Sequence, residues 1–126
     1  MEIVQRERDG VVILVLKGKM TLGEGDVMFK ERVESLQATG KTKFLVDLGG
    51  IPYLDSAGLG ELVRTYLTTR RNGGWVKLLN ITKRIEDILT LTKLITVFET
   101  FDSEDEAVAS FAAPQPQKGF RHEHAD

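Results

Sequence analysis

The stretch Phe44-Leu45-Val46-Asp47-Leu48-Gly49-Gly50-Ile51-Pro52-Tyr53-Leu54-Asp55-Ser56-Ala57-Gly58-Leu59-Gly60 decides how this chain is read. Phe44 to Leu48 is an apolar run of strand length, and Gly49-Gly50-Ile51-Pro52 after it reads as a turn. Downstream, Leu59, Leu62, Val63, Tyr66 and Leu67 recur at i, i+3, i+4, i+7 and i+8, one face of a helix. That helix is expected from Ser56 to about Arg71, ahead of Asn72-Gly73-Gly74. Asp55-Ser56 then falls at a strand-to-helix junction, with Asp55 as N-cap. Ser56 lies in the first turn, beside unpaired backbone N–H groups and the positive end of the helix dipole. A phosphate can be held there without melting the helix. Ala57, Gly58 and Gly60 leave little bulk around the hydroxyl, so another protein's surface can approach. Ordinary capping accounts for the same residues, and spacing alone leaves both readings open. A catalytic serine does not fit. A nucleophile elbow needs glycine two residues before the serine, where Leu54 stands, and a histidine base. The histidines, His122 and His124, are at the far end of the chain.

Working outward, Ile3 to Arg8 reads as an edge strand followed by the turn Asp9-Gly10. Val11 to Leu16 is an unbroken aliphatic run, the pattern of a strand buried on both faces. Gly18 to Asp26 is glycine-rich and reads as a loop. It is not a phosphate-binding loop of the Walker type, because Glu24 occupies the lysine position and no Lys-Ser/Thr pair follows. Phe29, Val33 and Leu36 mark a helix from about Glu24 to Ala38, with Gly40 as its C′ residue. Trp75 to Leu79 is a further internal strand. Ile81, Ile85, Ile88 and Leu89 suit a short helix with Thr82 as cap, and Val97 to Phe101 reads as a last, half-exposed strand. Ser103-Glu104-Asp105-Glu106 is a capping box opening a helix whose Ala107, Val108 and Phe111 face inward. After Ala113 the Pro- and Gln-rich composition predicts a flexible tail, so a domain over 1–112 and a tail over 113–126 are expected. His122-Glu123-His124 on such a tail makes a poor metal site.

The 126 residues suffice for one domain, and the 41% hydrophobic and 29% charged content is that of a soluble globular protein. A net charge of −2 argues against direct nucleic-acid binding driven by phosphate contacts. There is no cysteine, hence neither a disulfide framework nor a thiolate metal site, in keeping with a reducing compartment. No apolar run reaches the roughly 18 residues of a membrane span, and the N-terminus lacks a signal-peptide pattern. Membrane insertion is not expected, and a cytoplasmic location is.

Strands alternate with helices of about ten to sixteen residues, which predicts an α/β domain with a mostly parallel central sheet, an N-terminal edge strand and about four helices. Right-handed crossovers bring the Asp55-Ser56 junction and the Gly18–Asp26 loop to the same edge of the sheet. Partners of open α/β sheets dock at that edge. The chain at this point resembles the STAS domain family of bacterial anti-sigma factor antagonists, from about Ile3 to Phe111. The most specific residues are Val46-Asp47-Leu48 followed by Tyr53-Leu54-Asp55-Ser56-Ala57-Gly58-Leu59-Gly60, which match the family's phosphorylation motif. Leu78-Leu79-Asn80, Leu91-Thr92-Lys93-Leu94, Val97-Phe98-Glu99-Thr100-Phe101 and Ser103-Glu104-Asp105-Glu106-Ala107 resemble its second half in the same order.

The resemblance implies a partner-switching regulator of transcription, a binding module rather than an enzyme, with no cofactor. Such an antagonist binds an anti-sigma factor, a serine kinase of the GHKL type, and so frees a sigma factor. The kinase phosphorylates the serine matching Ser56, and a PP2C-type phosphatase resets it. The family often carries serine or threonine where Ala57 stands, so a second acceptor is absent here. Asp55, Leu54, Ala57 and Gly58 around the acceptor, and Thr21, Leu22 and Gly23 from the neighbouring loop, are the implied partner-binding residues. Asp47 is read as a turn or strand-end residue, and Leu59 as core. The alternative is a STAS-like subunit of a larger assembly, such as a signalling scaffold or a lipid-transport ABC system, in which Ser56 is only structural.

Overall fold

Asp9 and Gly10, with φ of 53° and 80°, turn β1 (Glu2–Arg8) back antiparallel onto β2 (Val11–Met20). Two left-handed residues in a two-residue hairpin match the right-handed twist of the strands they join. The structure, a computed structural model, describes residues 1–112. After β2 come α1 (Gly25–Ala38), β3 (Lys43–Leu54), α2 (Ser56–Arg71), β4 (Trp75–Leu79) and α3 (Lys83–Leu91). A single 3₁₀ turn (Leu94–Thr96), β5 (Thr100–Phe101) and α4 (Glu104–Ser110) complete the described chain. The sheet order is β1-β2-β3-β4-β5, parallel from β2 onward. The α/β class, the mostly parallel sheet with its N-terminal edge strand and the four helices are as the sequence predicts.

Alternation along each strand separates two cores. Val12, Leu14, Leu16, Phe44, Val46, Val76 and Leu78 meet Phe29 and Val33 of α1, Leu62 and Tyr66 of α2, and Ile85 and Leu89 of α3. Val11, Ile13, Leu45 and Leu79 face the other way, onto Ala107, Val108 and Phe111 of α4. Lys77 shares this second face and is 1% exposed. Its ammonium lies 2.9 Å from the Glu99 carboxylate, donates to Ser110 Oγ at 2.9 Å and stands 4.7 Å from the Phe111 ring. A lysine can be buried here because its charge is paired and its donors are used.

A two-arginine clamp fastens α4 to the sheet. Arg6 and Arg8 on β1 both donate to Glu104, Arg8 at 2.9 Å, and Arg8 also reaches Asp105. Hydrogen bonding from Arg6 first, then from Arg8, pulls the Glu104 carboxyl from 4.5 down to about 2. A carboxylate depressed in the folded state stabilises fully above its unfolded value and is lost as pH falls through its folded value. Glu104→Gln is therefore expected to lower stability by about 1–2 kcal/mol at pH 7, after screening at this partly exposed site. The gap between the two proteins should narrow from pH 5 and close near pH 2. Urea midpoints across that range check it, and a gap constant with pH would exclude the clamp as its source.

Three elements differ from the sequence reading. Gly49-Gly50-Ile51-Pro52 is not a turn, since β3 runs through it to Leu54. Val15 pairs with Asp47, Lys17 with Gly50 and Lys19 with Tyr53, so β3 spends three residues twice where β2 spends two. Two β-bulges absorb the extra residues. Pro52, which lacks an N–H, is tolerated in such irregular pairing, and a Cβ on Gly50 would stand 2.9 Å from the Leu16 carbonyl oxygen. Strand β2 likewise continues to Met20 through Gly18, at φ 107°, so the connection to α1 shrinks to Thr21–Glu24. Only Thr100–Phe101 of the expected last strand is extended; Val97 and Phe98 are buried after the 3₁₀ turn, and Phe98 meets Tyr66 edge-on at 5.3 Å. Asp47 sits within β3, where it accepts from Gly49 N at 2.9 Å and Asn80 Nδ2 at 3.3 Å. The expected tail, with His122 and His124, lies outside the described residues.

Candidate functional site

Strand β4 pairs with β3 only as far as Asp47, opposite Leu79. Beyond that point β4 no longer pairs and β1 reaches only Lys17, opposite Glu2, so Lys17–Met20 and Gly50–Leu54 form an arm that is two-stranded from Gly18 onward. The bulges keep its inner side apolar: Ile51 and Leu54 are buried, Tyr53 is 45% exposed. At its tip the chain turns into α2. Asp55, extended at φ −95° and ψ −175°, is the N-cap, and its Oδ1 accepts from Gly58 N at 3.0 Å. Its other oxygen, Oδ2, accepts from Leu22 N at 3.0 Å, so the β2–α1 loop and the α2 N-terminus meet at one carboxylate. The same edge was expected to collect them, and this bond is where they join. Backbone hydrogen bonds from Gly58 and then Leu22 hold the Asp55 carboxyl below its ordinary range.

Ser56 follows as the first residue of α2, exposed, with no acidic side chain in that first turn. Ala57 is half-buried beside it, and Gly60 faces open space. Leu22, 75% exposed, and Gly23, at φ 88°, stand out from the neighbouring loop, with Thr21 half-buried. On the other side, Arg84 of α3 lies 5.8 Å above the Tyr53 ring, within cation–π range. Two of the residues implied as partner contacts, Leu54 and Gly58, are buried. Leu54 is packed in the core, and Gly58 is buried so tightly that a Cβ there would collide with the Met20 carbonyl oxygen and Leu54 Cδ1. The bare glycine admits the end of β2. Leu59 is half-buried against the core, in line with its reading as a packing residue.

The STAS domain family model matches residues 2–107. This chain belongs to the STAS domain family. An anti-sigma F factor antagonist of Paenibacillus polymyxa is 21% identical over 108 residues, 86% of this chain and 92% of that protein. The crystal structure of a Thermotoga maritima protein superposes on this STAS domain with a TM-score of 0.83 and 25% identity, over 88% of this chain and 95% of that one. The Bacillus cell fate determinant SpoIIAA in its phosphorylated form gives a TM-score of 0.70 at 15% identity, over 86% of this chain and 97% of that one, a likeness of fold.

Two residues beside Ser56, Tyr53 and Arg84, were not among the site residues that the sequence pointed to. Tyr53 was hidden by the reading of its approach as a turn; apolar spacing of two, two, three and three from Phe44 through Val46, Leu48 and Ile51 to Leu54 is the signal that would have exposed it. Arg84 carries no local signal, because only the fold brings α3 to the arm. Among the described residues no three His, Cys, Asp or Glu side chains form a group able to hold a metal ion, and no helix is long and apolar enough to cross a membrane.

Proposed function

We propose that this STAS domain is an anti-sigma factor antagonist switched by phosphorylation of Ser56. Unmodified, it binds an anti-sigma factor, a serine kinase of the GHKL type, in the cytoplasm; phosphorylated, it lets go, and a PP2C-type phosphatase restores it. The domain performs no reaction of its own. One observation carries this reading: Ser56 is exposed at the tip of an arm beyond the sheet, flanked by the apolar Leu22 and the Tyr53 ring. Asp55, not Ser56, caps α2, so the hydroxyl is free of the duty that a structural serine at a helix start would have. The antagonist names of curated relatives, and a fold shared with SpoIIAA in its phosphorylated form, support the same conclusion.

The chemistry of the switch follows from position. A phosphoserine brings about −1.5 to −2 charges. At the start of α2 the helix dipole offsets these by about 0.3–1 kcal/mol, so the fold tolerates them. Pressed against a partner, the same charges are stripped of water and left unpaired, at a cost of several kcal/mol. The complex is lost and the domain survives. Intact-protein mass spectrometry with site mapping, on protein recovered from its own cells under varied growth conditions, is the test. A phosphate on Ser56 that varies with condition is the expected result. A Ser56 unmodified throughout, with a stable partner still co-purifying, would replace the switch with a scaffold.

A further inference from the structure

Capping α2 needs one carboxylate oxygen, and Asp55 has given the other to a group 33 residues away. That group is the N–H of Leu22, whose side chain is the most exposed large apolar one at the Ser56 edge. The loop carrying it is short and anchored at its far end. Gly25 packs so closely on Lys19 O that no Cβ fits, and Asp26 Oδ1 accepts from Gly23 N and Val27 N at 2.8 Å. Thr21 O accepts from Glu24 N at 3.4 Å and Asp26 N at 3.2 Å within the loop, and the bond from Leu22 N to Asp55 ties the loop to the start of α2.

We infer that Asp55 is the positioning residue of the docking edge: its second oxygen fixes Leu22 for the partner, and a phosphate on Ser56 disturbs that bond. The inference rests on the phospho-switch reading and deepens it. A phosphate on the adjacent residue sets two anions side by side at one helix start, competing for the same N–H groups. The carboxylate bridges donors on two separate elements, so it cannot move away and keep both. The Gly58 N–H is held by the helix; the Leu22 N–H belongs to a four-residue loop, which yields. Phosphorylation would then remove an ordered apolar contact in addition to inserting charge.

Asparagine separates the two duties of Asp55. Its amide carries a single acceptor oxygen, which suffices for the cap, and places an NH₂ donor against the Leu22 donor. The experiment uses four chains: wild type and Asp55→Asn, each with serine or genetically encoded phosphoserine at position 56. Residue-resolved amide exchange of Leu22 and Gly58 is read by NMR, with the thermal midpoint of each chain. Phosphoserine in the wild type is expected to speed Leu22 exchange about tenfold, the equivalent of one net charge-assisted hydrogen bond, and Gly58 exchange by less. Asp55→Asn should speed Leu22 by a similar factor without any phosphate, lower the midpoint by only a few degrees because the cap to Gly58 is kept, and make phosphoserine without further effect at Leu22. Equal Leu22 exchange in the phosphorylated and unmodified wild type overturns the inference, whatever the variant does. Because the phosphate is installed during synthesis, this result is independent of whether cells phosphorylate Ser56.

Discussion

Ser56→Asp is expected to weaken binding to the cognate anti-sigma factor at least about a hundredfold, while Ser56→Ala binds as tightly as the wild type in every growth condition. The size comes from the charge. A carboxylate carried into an interface without a partner costs about 2–5 kcal/mol, and roughly 2.7 kcal/mol already corresponds to a hundredfold. The control is built into the site. Position 56 opens α2, where the helix dipole favours an anion and offsets repulsion from the adjacent Asp55 cap, so the same aspartate should change the thermal midpoint of the free domain little. Alanine removes a hydroxyl that caps nothing, since Gly58 N is served by Asp55. Isothermal titration with the purified partner, beside thermal unfolding of each variant, separates binding from folding. If Ser56→Asp bound like the wild type at equal stability, charge at this position would not be the switch.

Gly58→Ala should be strongly destabilising, although the added methyl lies inside a helix. In an open helix alanine outperforms glycine by about 1 kcal/mol. At position 58 the added carbon would run into Met20 O and Leu54 Cδ1, a backbone atom and a buried side chain with nowhere to retreat. Overpacking of this kind costs about 3 kcal/mol, which outweighs the helix gain and reverses its sign. Gly60, two residues on in the same helix, faces empty space. Gly60→Ala is therefore expected to stabilise by up to about 1 kcal/mol. Urea unfolding of both variants tests the pair, and equal effects at 58 and 60 would mean that α2 does not rest against β2 as described.

The same pair marks where the sequence could and could not be read. Element types followed from periodicity: the 3.6-residue pattern from Leu59 to Leu67, the unbroken run from Val11 to Leu16, and the capping box at Ser103, whose hydroxyl accepts from Glu106 N at 3.2 Å. Boundaries failed wherever tertiary contact overrode a local signal. Gly49-Gly50 before Ile51-Pro52 has turn chemistry, yet pairing with β2 holds it extended through two bulges. Val97 and Phe98 have strand propensity, yet they fill the core beneath α2 and α3 after a 3₁₀ turn. The acceptor, the cap and the neighbouring loop were legible as residue types at one sheet edge. Which small residues face a partner was not, because Gly58 and Gly60 look alike in sequence and differ only in what stands opposite them.

The arm formed by Lys17–Met20 and Gly50–Leu54 has a consequence for how such domains coexist in one cell. Its buried side is confined to Met20, Ile51 and Leu54, whereas Leu22, Tyr53 and Arg84 touch the outside. On the function proposed above, changes in the outer set alter recognition and leave the hydrophobic cores intact. Duplicated copies of the gene can therefore diverge in partner choice one surface residue at a time, without passing through an unfolded ancestor. Parallel signalling lines built on the same scaffold become insulated from one another by substitutions that thermodynamic stability scarcely registers.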